Sequence, residues 1–347
     1  MPSWAEPQGG GDGMLATRLM RVGDIRTVDV PVPKPGPGEV LVRVLAAGIC
    51  GTDRHLVLGE FPCSPPVTLG HEFSGLVTAL GEGAEPSLLG RTVTCDPNIA
   101  CGRCPPCLGG RVNLCTALQA VGVHRDGGFA EYAAFPAHRA LVLPEGLDPR
   151  HGAFCEPLAC CLHGTDIGSP GPGERVIVLG GGVIGLLTLQ LARAAGAETL
   201  LVTRQESKRD LALSLGASAV AATPQAALDA WPGGADLVME CAGVVDTVAA
   251  APRLARSGGR VVLLGVLPAG ATVAFEPLDL LVREIALRPA FLNPFTQARA
   301  VALIGSGRIR VDPLISRSIP LAALPEALRE PARPGEVKVL VHPEARG

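Results

Sequence analysis

Residues 175–195 constrain the fold more than any other stretch. Arg175-Val176-Ile177-Val178-Leu179 is followed at once by Gly180-Gly181-Gly182-Val183-Ile184-Gly185, and then by an apolar run over residues 186–195 that stops at Gly196. A short run rich in Val and Ile reads as a strand buried on both faces. The longer run reads as a helix. The glycine segment between them fits G-x-G-x-x-G in the strand–turn–helix setting that gives the pattern meaning. There Gly180 permits the tight turn, Gly182 lets backbone approach a pyrophosphate, and Gly185 lets the helix pack close to the strand. The first helical residues, Val183 and Ile184, present unpaired N–H groups to the phosphates. A glycine-rich turn without a ligand is the alternative, and the flanking elements argue against it.

The alternation continues downstream. Residues 199–203, 235–239 and 260–264 read as strands, and residues 207–215 and 245–255 as helices. Strands and helices alternating at this spacing make an α/β fold with a doubly wound parallel sheet. Between residues 28 and 143 the β-rich runs are short and broken by Gly and Pro, as at residues 40–44, 73–80 and 91–94. That texture suits an antiparallel barrel or sandwich. The mixed C-terminal stretch closes on another strand-like run, residues 337–341.

An NAD site usually carries Asp or Glu at the end of the second strand, about 20 residues past the turn, to bond the ribose 2′-hydroxyl. This chain has Thr203-Arg204-Gln205 there, with Lys208 and Arg209 close behind. An acid would repel a 2′-phosphate, whereas Arg204 holds one through paired hydrogen bonds. The expectation is NADP in preference to NAD. The rival reading sets Glu206 on the ribose and gives NAD.

The chain has 347 residues, a net charge of −3 and 3% aromatics. With neither a basic block nor a stacking surface, nucleic acid is not an expected partner. The longest uncharged apolar run, residues 176–192, falls short of the about 20 residues that span a membrane. Residues 1–13 are rich in Gly and Pro and read as a disordered tail, not a secretory signal. Eleven cysteines in so long a chain are not a disulfide scaffold. They suit a reducing, cytoplasmic compartment, where clustered thiols hold metal.

Cys101-x2-Cys104-x2-Cys107-x7-Cys115 places four thiolates in one Gly/Pro-rich loop. Four sulfurs at short spacing suit a closed, tetrahedral structural zinc. An iron–sulfur cluster is the chemical competitor, and a thioredoxin-like redox role lacks its βαβ setting. Such a site closes the loop and adds folding energy without touching substrate.

A second constellation is dispersed over Cys50-Gly51-Thr52-Asp53-Arg54-His55, Gly70-His71-Glu72 and Cys155-Glu156-Pro157. Cys, His and a carboxylate can make a catalytic zinc site with one open position. Spacing alone leaves structural readings open, since a lone His or Cys is usually part of the packing. Taken with the four-cysteine loop and the glycine turn, in this order, the chain resembles the zinc-dependent medium-chain alcohol dehydrogenases over residues 14–344. Gly70-His71-Glu72-Phe73-Ser74-Gly75 resembles that family's G-H-E signature. The likeness is greatest to the sorbitol (polyol) and threonine dehydrogenase branch, where a Glu-Pro pair stands at the third-ligand position.

The resemblance implies a GroES-like β-barrel catalytic domain at residues 14–160, with the four-cysteine lobe at 95–116. A Rossmann coenzyme domain follows at 161–295, and residues 296–347 return to the first domain. It implies two zinc ions per chain, one catalytic and one structural. Cys50 and His71 would bind the catalytic ion directly. Glu156 would take the third position, directly or through water, with Cys155 beside it as the alternative. Glu72 would be a further ligand or a group supporting the ligands. Thr52 would pass on the alcohol proton and His55 receive it near solvent, while hydride moves to the nicotinamide. Lys338 matches a basic position near the cofactor pyrophosphate. Asp53 reads as a supporting acid, His163 as core, and Cys63, Cys95, Cys160, Cys161 and Cys241 as small buried hydrophobes.

The branch implies a secondary alcohol, polyol or amino alcohol, or the matching ketone, as substrate. Two departures bear on this. Leu56 stands where sorbitol dehydrogenases carry an aromatic residue, and Ala290-Phe291-Leu292-Asn293 replaces their Arg-Tyr pair before Asn. A fully hydroxylated chain would lack partners there. A silent NADP-binding sensor and a zinc-lobe interaction module are the other function classes. The family also implies a homodimer or homotetramer, with residues 278–292 supplying an edge strand for pairing.

Overall fold

A computed structural model describes residues 13–343. The expected tail lies outside the described residues except for Gly13, which opens a strand. Six strands form a parallel sheet in the spatial order Ala219–Ala221, Glu198–Val202, Arg175–Leu179, Ala235–Glu240, Ala255–Leu263, Ala286–Pro289. In chain order this is 3-2-1-4-5-6, two halves wound outward from Arg175–Leu179. Helices Val183–Ala194, Glu206–Ser214, Pro224–Ala230, Val245–Leu254 and Pro277–Val282 make the crossovers.

The unbroken apolar character of these strands follows from their burial. Side chains alternate between sheet faces, and both faces are covered. Val176, Val178, Leu201, Leu237 and Met239 join one core cluster, and Ile177, Leu179, Leu200, Val238 and Val261 the other. Each such side chain contributes about 1.5–3 kcal/mol on burial.

The β-rich part is a seven-stranded sheet. Glu39–Gly48 lies at its centre, with antiparallel neighbours Glu72–Leu80, Tyr132–Pro136 and Lys338–His342. The last strand comes from the far end of the chain, beyond the parallel sheet, and brings Ile315–Pro320 beside it. Phe73 and Phe135 meet edge to face at 5.6 Å in the core. A hairpin of Gly13–Arg21 and Asp24–Pro31 turns through Val22-Gly23, with Gly23 at φ 79°. The four-cysteine lobe is carried by the short pair Asn98–Ile99 and Gln119–Ala120 and the turn of helix Pro105–Leu108. No helix of the described residues is long and apolar enough to cross a membrane.

Candidate active site

Strand register builds the centre of the site. Gly48 faces Glu72 across the antiparallel pair, so the residues following Gly48 run beside His71 and Glu72. A side chain at 48 is impossible, because its Cβ would come 2.5 Å from Glu72 Oε2. Cys50 then caps helix Gly51–Leu58. Its N–H donates to Asp53 Oδ2 at 2.8 Å, which locks the first turn. The Cys50 sulfur, a His71 ring nitrogen and a Glu72 carboxylate oxygen lie within 4.8 Å of one another. His71 and Glu72 are buried and Cys50 is half-buried.

Asp53 stands behind His71. Its Oδ1 lies 3.5 Å from His71 Nδ1, and neither buried atom has a hydrogen-bond partner elsewhere. Burial works against a charged imidazole here, but the Asp53 carboxylate and the Cys50 sulfur outweigh it and raise the His71 pKa well above its usual range. A carboxylate behind an imidazole is the arrangement that orients a metal-binding histidine.

Lys338 is fully buried, and its Nζ donates to Glu72 Oε2 and, at 3.1 Å, to the Ile49 carbonyl. Burial disfavours the ammonium, yet Glu72 and Cys50 hold its pKa above the usual lysine value. The sequence expectation set this residue beside the cofactor pyrophosphate. In the structure its charge meets Glu72, because a carboxylate and an ammonium in a dry interior each need the other.

Glu156 opens helix Cys155–Gly168 and is buried. Its Oε1 accepts a hydrogen bond from Cys160 Sγ, one turn on, at 3.3 Å. Burial pushes its carboxyl up to about 7, against the pull of His71 and with the push of Glu72. It is electrostatically part of the site but outside the close group, whose carboxylate is Glu72. Cys155 is buried with its thiol toward the His151 carbonyl at 4.0 Å and does not join the group either. Thr52 is half-buried in the turn beside Cys50. His55 Nδ1 lies 2.5 Å from Glu60 Oε2 near the surface. Thiol, imidazole and carboxylate are the donor set zinc takes, so these residues fit the metal.

The Cys101, Cys104, Cys107 and Cys115 sulfurs also lie within 4.8 Å of one another. Backbone N–H groups aim at them: Cys101 N and Ala117 N donate to Cys115 Sγ at 3.3 and 3.4 Å. The amides of Cys107 and Thr116 bring the Cys104 thiol down to about 6. Burial, with the Cys104 sulfur, pushes the Cys107 thiol the other way, up to about 12, so the thiolate form that a four-sulfur metal site needs is favoured at Cys104. The remaining cysteines are not all passive filler. Cys95 and Cys161 are buried, but Cys160 bonds Glu156 and Cys241 Sγ lies 3.8 Å from Thr188 Oγ1. His163 is half-buried on helix Cys155–Gly168, and burial lowers its pKa.

The glycine turn has three distinct demands. Gly180 takes φ 111° against Ala242. A Cβ at Gly185 would come 1.9 Å from the Gly180 carbonyl oxygen, whereas one at Gly182 would meet nothing within 4 Å. Gly182 therefore faces open space at the start of the Val183–Ala194 helix, where the first N–H groups have no partner. Beyond strand Glu198–Val202, Thr203 is half-buried, Arg204 exposed and Lys208 half-buried. Arg209 Nη1 is committed to the Thr203 and Arg204 carbonyls at 2.9 Å each, which leaves Arg204 as the outward guanidinium.

Residues 36–145 match the Alcohol dehydrogenase GroES-like domain, and residues 183–304 match the Zinc-binding dehydrogenase domain. The chain belongs to the zinc-dependent medium-chain alcohol dehydrogenases. It is 34% identical to L-threonine 3-dehydrogenase of Pyrococcus horikoshii over 83% of this chain and 86% of that one. It is 33% identical to sorbitol dehydrogenase of Gallus gallus, over 94% and 96% of the two chains. A solved zinc-binding dehydrogenase from Sinorhizobium meliloti bound to NADP superposes with a TM-score of 0.93, at 53% identity over 96% of this chain and all of that one.

Sequence reasoning about this dehydrogenase missed two contacts of its site. The His71–Asp53 approach was signalled by Asp53 standing three residues after Cys50, the spacing of a helix cap. The Glu72–Lys338 pair was signalled by a lone lysine in the apolar strand Lys338–His342, which is buried only if paired.

Proposed function

We propose that this dehydrogenase interconverts a secondary alcohol and its ketone on a zinc ion held by Cys50, His71 and a carboxylate, with NADP as hydride carrier. The close meeting of Cys50, His71 and Glu72 within 4.8 Å carries the reading. Bound there, zinc supplies a Lewis acid for the substrate oxygen, and the nicotinamide takes or gives hydride. Glu72 or Glu156 completes the ligand set. Asp53 fixes the His71 ring, and Lys338 balances the Glu72 charge. Thr52 Oγ1 takes the substrate hydroxyl proton as its own hydroxyl proton moves on, and His55, with Glu60 beside it, passes a proton to solvent. Cys101, Cys104, Cys107 and Cys115 would hold a second, structural zinc.

Gly182, Val183 and Ile184 would hold the pyrophosphate of a cofactor bound across the glycine turn. Arg204 and Lys208 beside Thr203 favour a 2′-phosphate, and no acid ends that strand to repel one. Relatives named for threonine and sorbitol point to a secondary hydroxyl as the shared reacting group. Leu56 and residues 290–292 favour a less hydroxylated substrate than sorbitol. The catalytic unit takes residues 14–160 and 296–347, and the coenzyme unit residues 161–295. Eleven free thiols suit a reducing cytoplasm. The exposed edge strand Ala286–Pro289, with Leu278, Leu281 and Val282 exposed beside it, supports a homodimer or homotetramer.

Metal analysis and NADPH absorbance over a panel of secondary alcohols test this together. The expected result is two zinc ions per chain, falling by one in Cys50→Ser, His71→Ala and Cys104→Ser. Turnover is lost in the first two. Unimpaired turnover in Cys50→Ser or His71→Ala overturns the mechanism. A protein with full zinc and tight NADPH but no turnover on any alcohol or ketone belongs to the silent class.

A further inference from the structure

Glu240 is completely buried, and among the described residues no lysine or arginine pairs with it. A carboxylate in that position is costly unless every oxygen is engaged. The structure engages them. Glu240 Oε1 accepts from Ala242 N at 2.9 Å, Gly243 N at 3.1 Å and Thr247 Oγ1 at 2.7 Å, and Oε2 takes a longer contact from Gly243 N at 3.3 Å. Its main-chain carbonyl accepts from Leu264 N at 2.8 Å and Gly265 N at 3.0 Å. One residue thus ties together the turns that leave two adjacent strands, Ala235–Glu240 and Ala255–Leu263. The fit leaves no slack. A Cβ at Gly265 would come 2.1 Å from Gly243 N and 2.5 Å from Glu240 Oε2. Gly243 takes φ 65°, and a Cβ there would come 2.5 Å from the Val266 carbonyl oxygen.

The place of this knot in the sheet gives it a role. Glu240 is in register with Leu179, the residue before the glycine turn, and Ala242 lies against Gly180. Dinucleotides lie across the carboxyl ends of the strands at the point where the winding reverses, here between Arg175–Leu179 and Ala235–Glu240. Thr203, on one side, marks the adenosine half. The nicotinamide half then falls on the other side, over Gly243, Gly265 and Val266. Strand packing alone does not call for a carboxylate at 240, since apolar residues fill buried positions at lower cost.

We infer that Glu240 is a positioning residue for the nicotinamide half of the cofactor, holding residues 241–247 and 264–266 as one rigid floor. This rests on the dinucleotide reading above. In Glu240→Gln the amide oxygen can keep the Oε1 position, but its NH2 group then replaces Oε2 against the Gly243 N–H and Gly265, so the floor loosens on that side while shape and volume are kept. Thr247→Val removes one donor and leaves the carboxylate.

Affinities are read by NADPH fluorescence, and by calorimetry for 2′,5′-ADP, which lacks the nicotinamide. Thermal melts check folding. Glu240→Gln is expected to weaken NADPH by about tenfold with 2′,5′-ADP unchanged, and Thr247→Val to weaken NADPH less. If the wild type prefers NADH, the same split is read with NADH and ADP. Equal weakening of both ligands, or unchanged NADPH affinity in a folded Glu240→Gln, overturns the inference. Should Glu240→Gln not fold, unchanged NADPH affinity in Thr247→Val overturns it. A wild type that binds neither ligand overturns the dinucleotide reading itself.

Discussion

Lys338 and Glu72 form an ion pair closed off from solvent, although 266 residues separate them along the chain. Removing one member leaves the other charge buried. Lys338→Met is expected to cost about 3–5 kcal/mol of stability, read as a lower denaturation midpoint in guanidinium. The double variant with Glu72→Gln should recover much of it, because no charge is then stranded. A Lys338→Met protein as stable as the wild type would show that the pair is not the reason for the lysine.

Two alanines in the glycine turn should behave oppositely. Gly185→Ala forces a methyl into the Gly180 carbonyl and should lower the melting temperature markedly. Gly182→Ala meets only open space, so the protein should melt normally. With the cofactor placed as proposed, its added methyl would meet the pyrophosphate, so NADPH affinity should fall. Normal cofactor binding by Gly182→Ala would remove the turn from the phosphate site.

Arg204→Ala separates the two nicotinamide cofactors. A charged hydrogen bond to a phosphate contributes about 1.5–3 kcal/mol. The NADP-to-NAD ratio of kcat/KM should therefore drop by about ten- to a hundredfold, mainly through KM for NADP. An unchanged ratio would reassign the 2′-position.

Acid should find a weak point at Glu174. Arg260 grips it with two hydrogen bonds, 2.6 and 3.1 Å long, while also donating to the Ser169 and Asp236 carbonyls. The guanidinium holds the Glu174 carboxyl below its ordinary 4.5, against the opposing effect of partial burial. A lowered carboxyl pKa stabilises the fold above the unfolded value and loses that contribution as the pH falls through the folded one. The wild type should therefore exceed Glu174→Gln by about 1 kcal/mol at neutral pH. The gap should close as the pH drops below 4.5. A gap independent of pH would rule out the charge as its source.

The parts legible in the sequence were those written locally. Arg175–Leu179 and its glycine turn declare themselves because both sheet faces are covered and each glycine answers a contact within the same segment. The four lobe cysteines lie within one loop. An edge strand was expected within residues 278–292, but its bounds, Ala286–Pro289, were not legible, because an exposed edge ending in Arg288 and Pro289 carries no apolar alternation. The strand Gly13–Arg21 was masked by Arg18 and Arg21 among its apolar residues. Cys50, His71, Glu72 and Glu156 were visible as residue types. Which carboxylate enters the close group was not, since the register of Gly48 against Glu72 decides it.

The last strand, Lys338–His342, completes a sheet begun some three hundred residues earlier and delivers the only cation that neutralises Glu72 among the described residues. A nascent chain leaving the ribosome N-terminus first has therefore built its four-cysteine lobe and its whole dinucleotide half before Glu72 finds its counter-charge. The ion pair that closes this interior therefore waits on a segment that follows Glu72 by 266 residues.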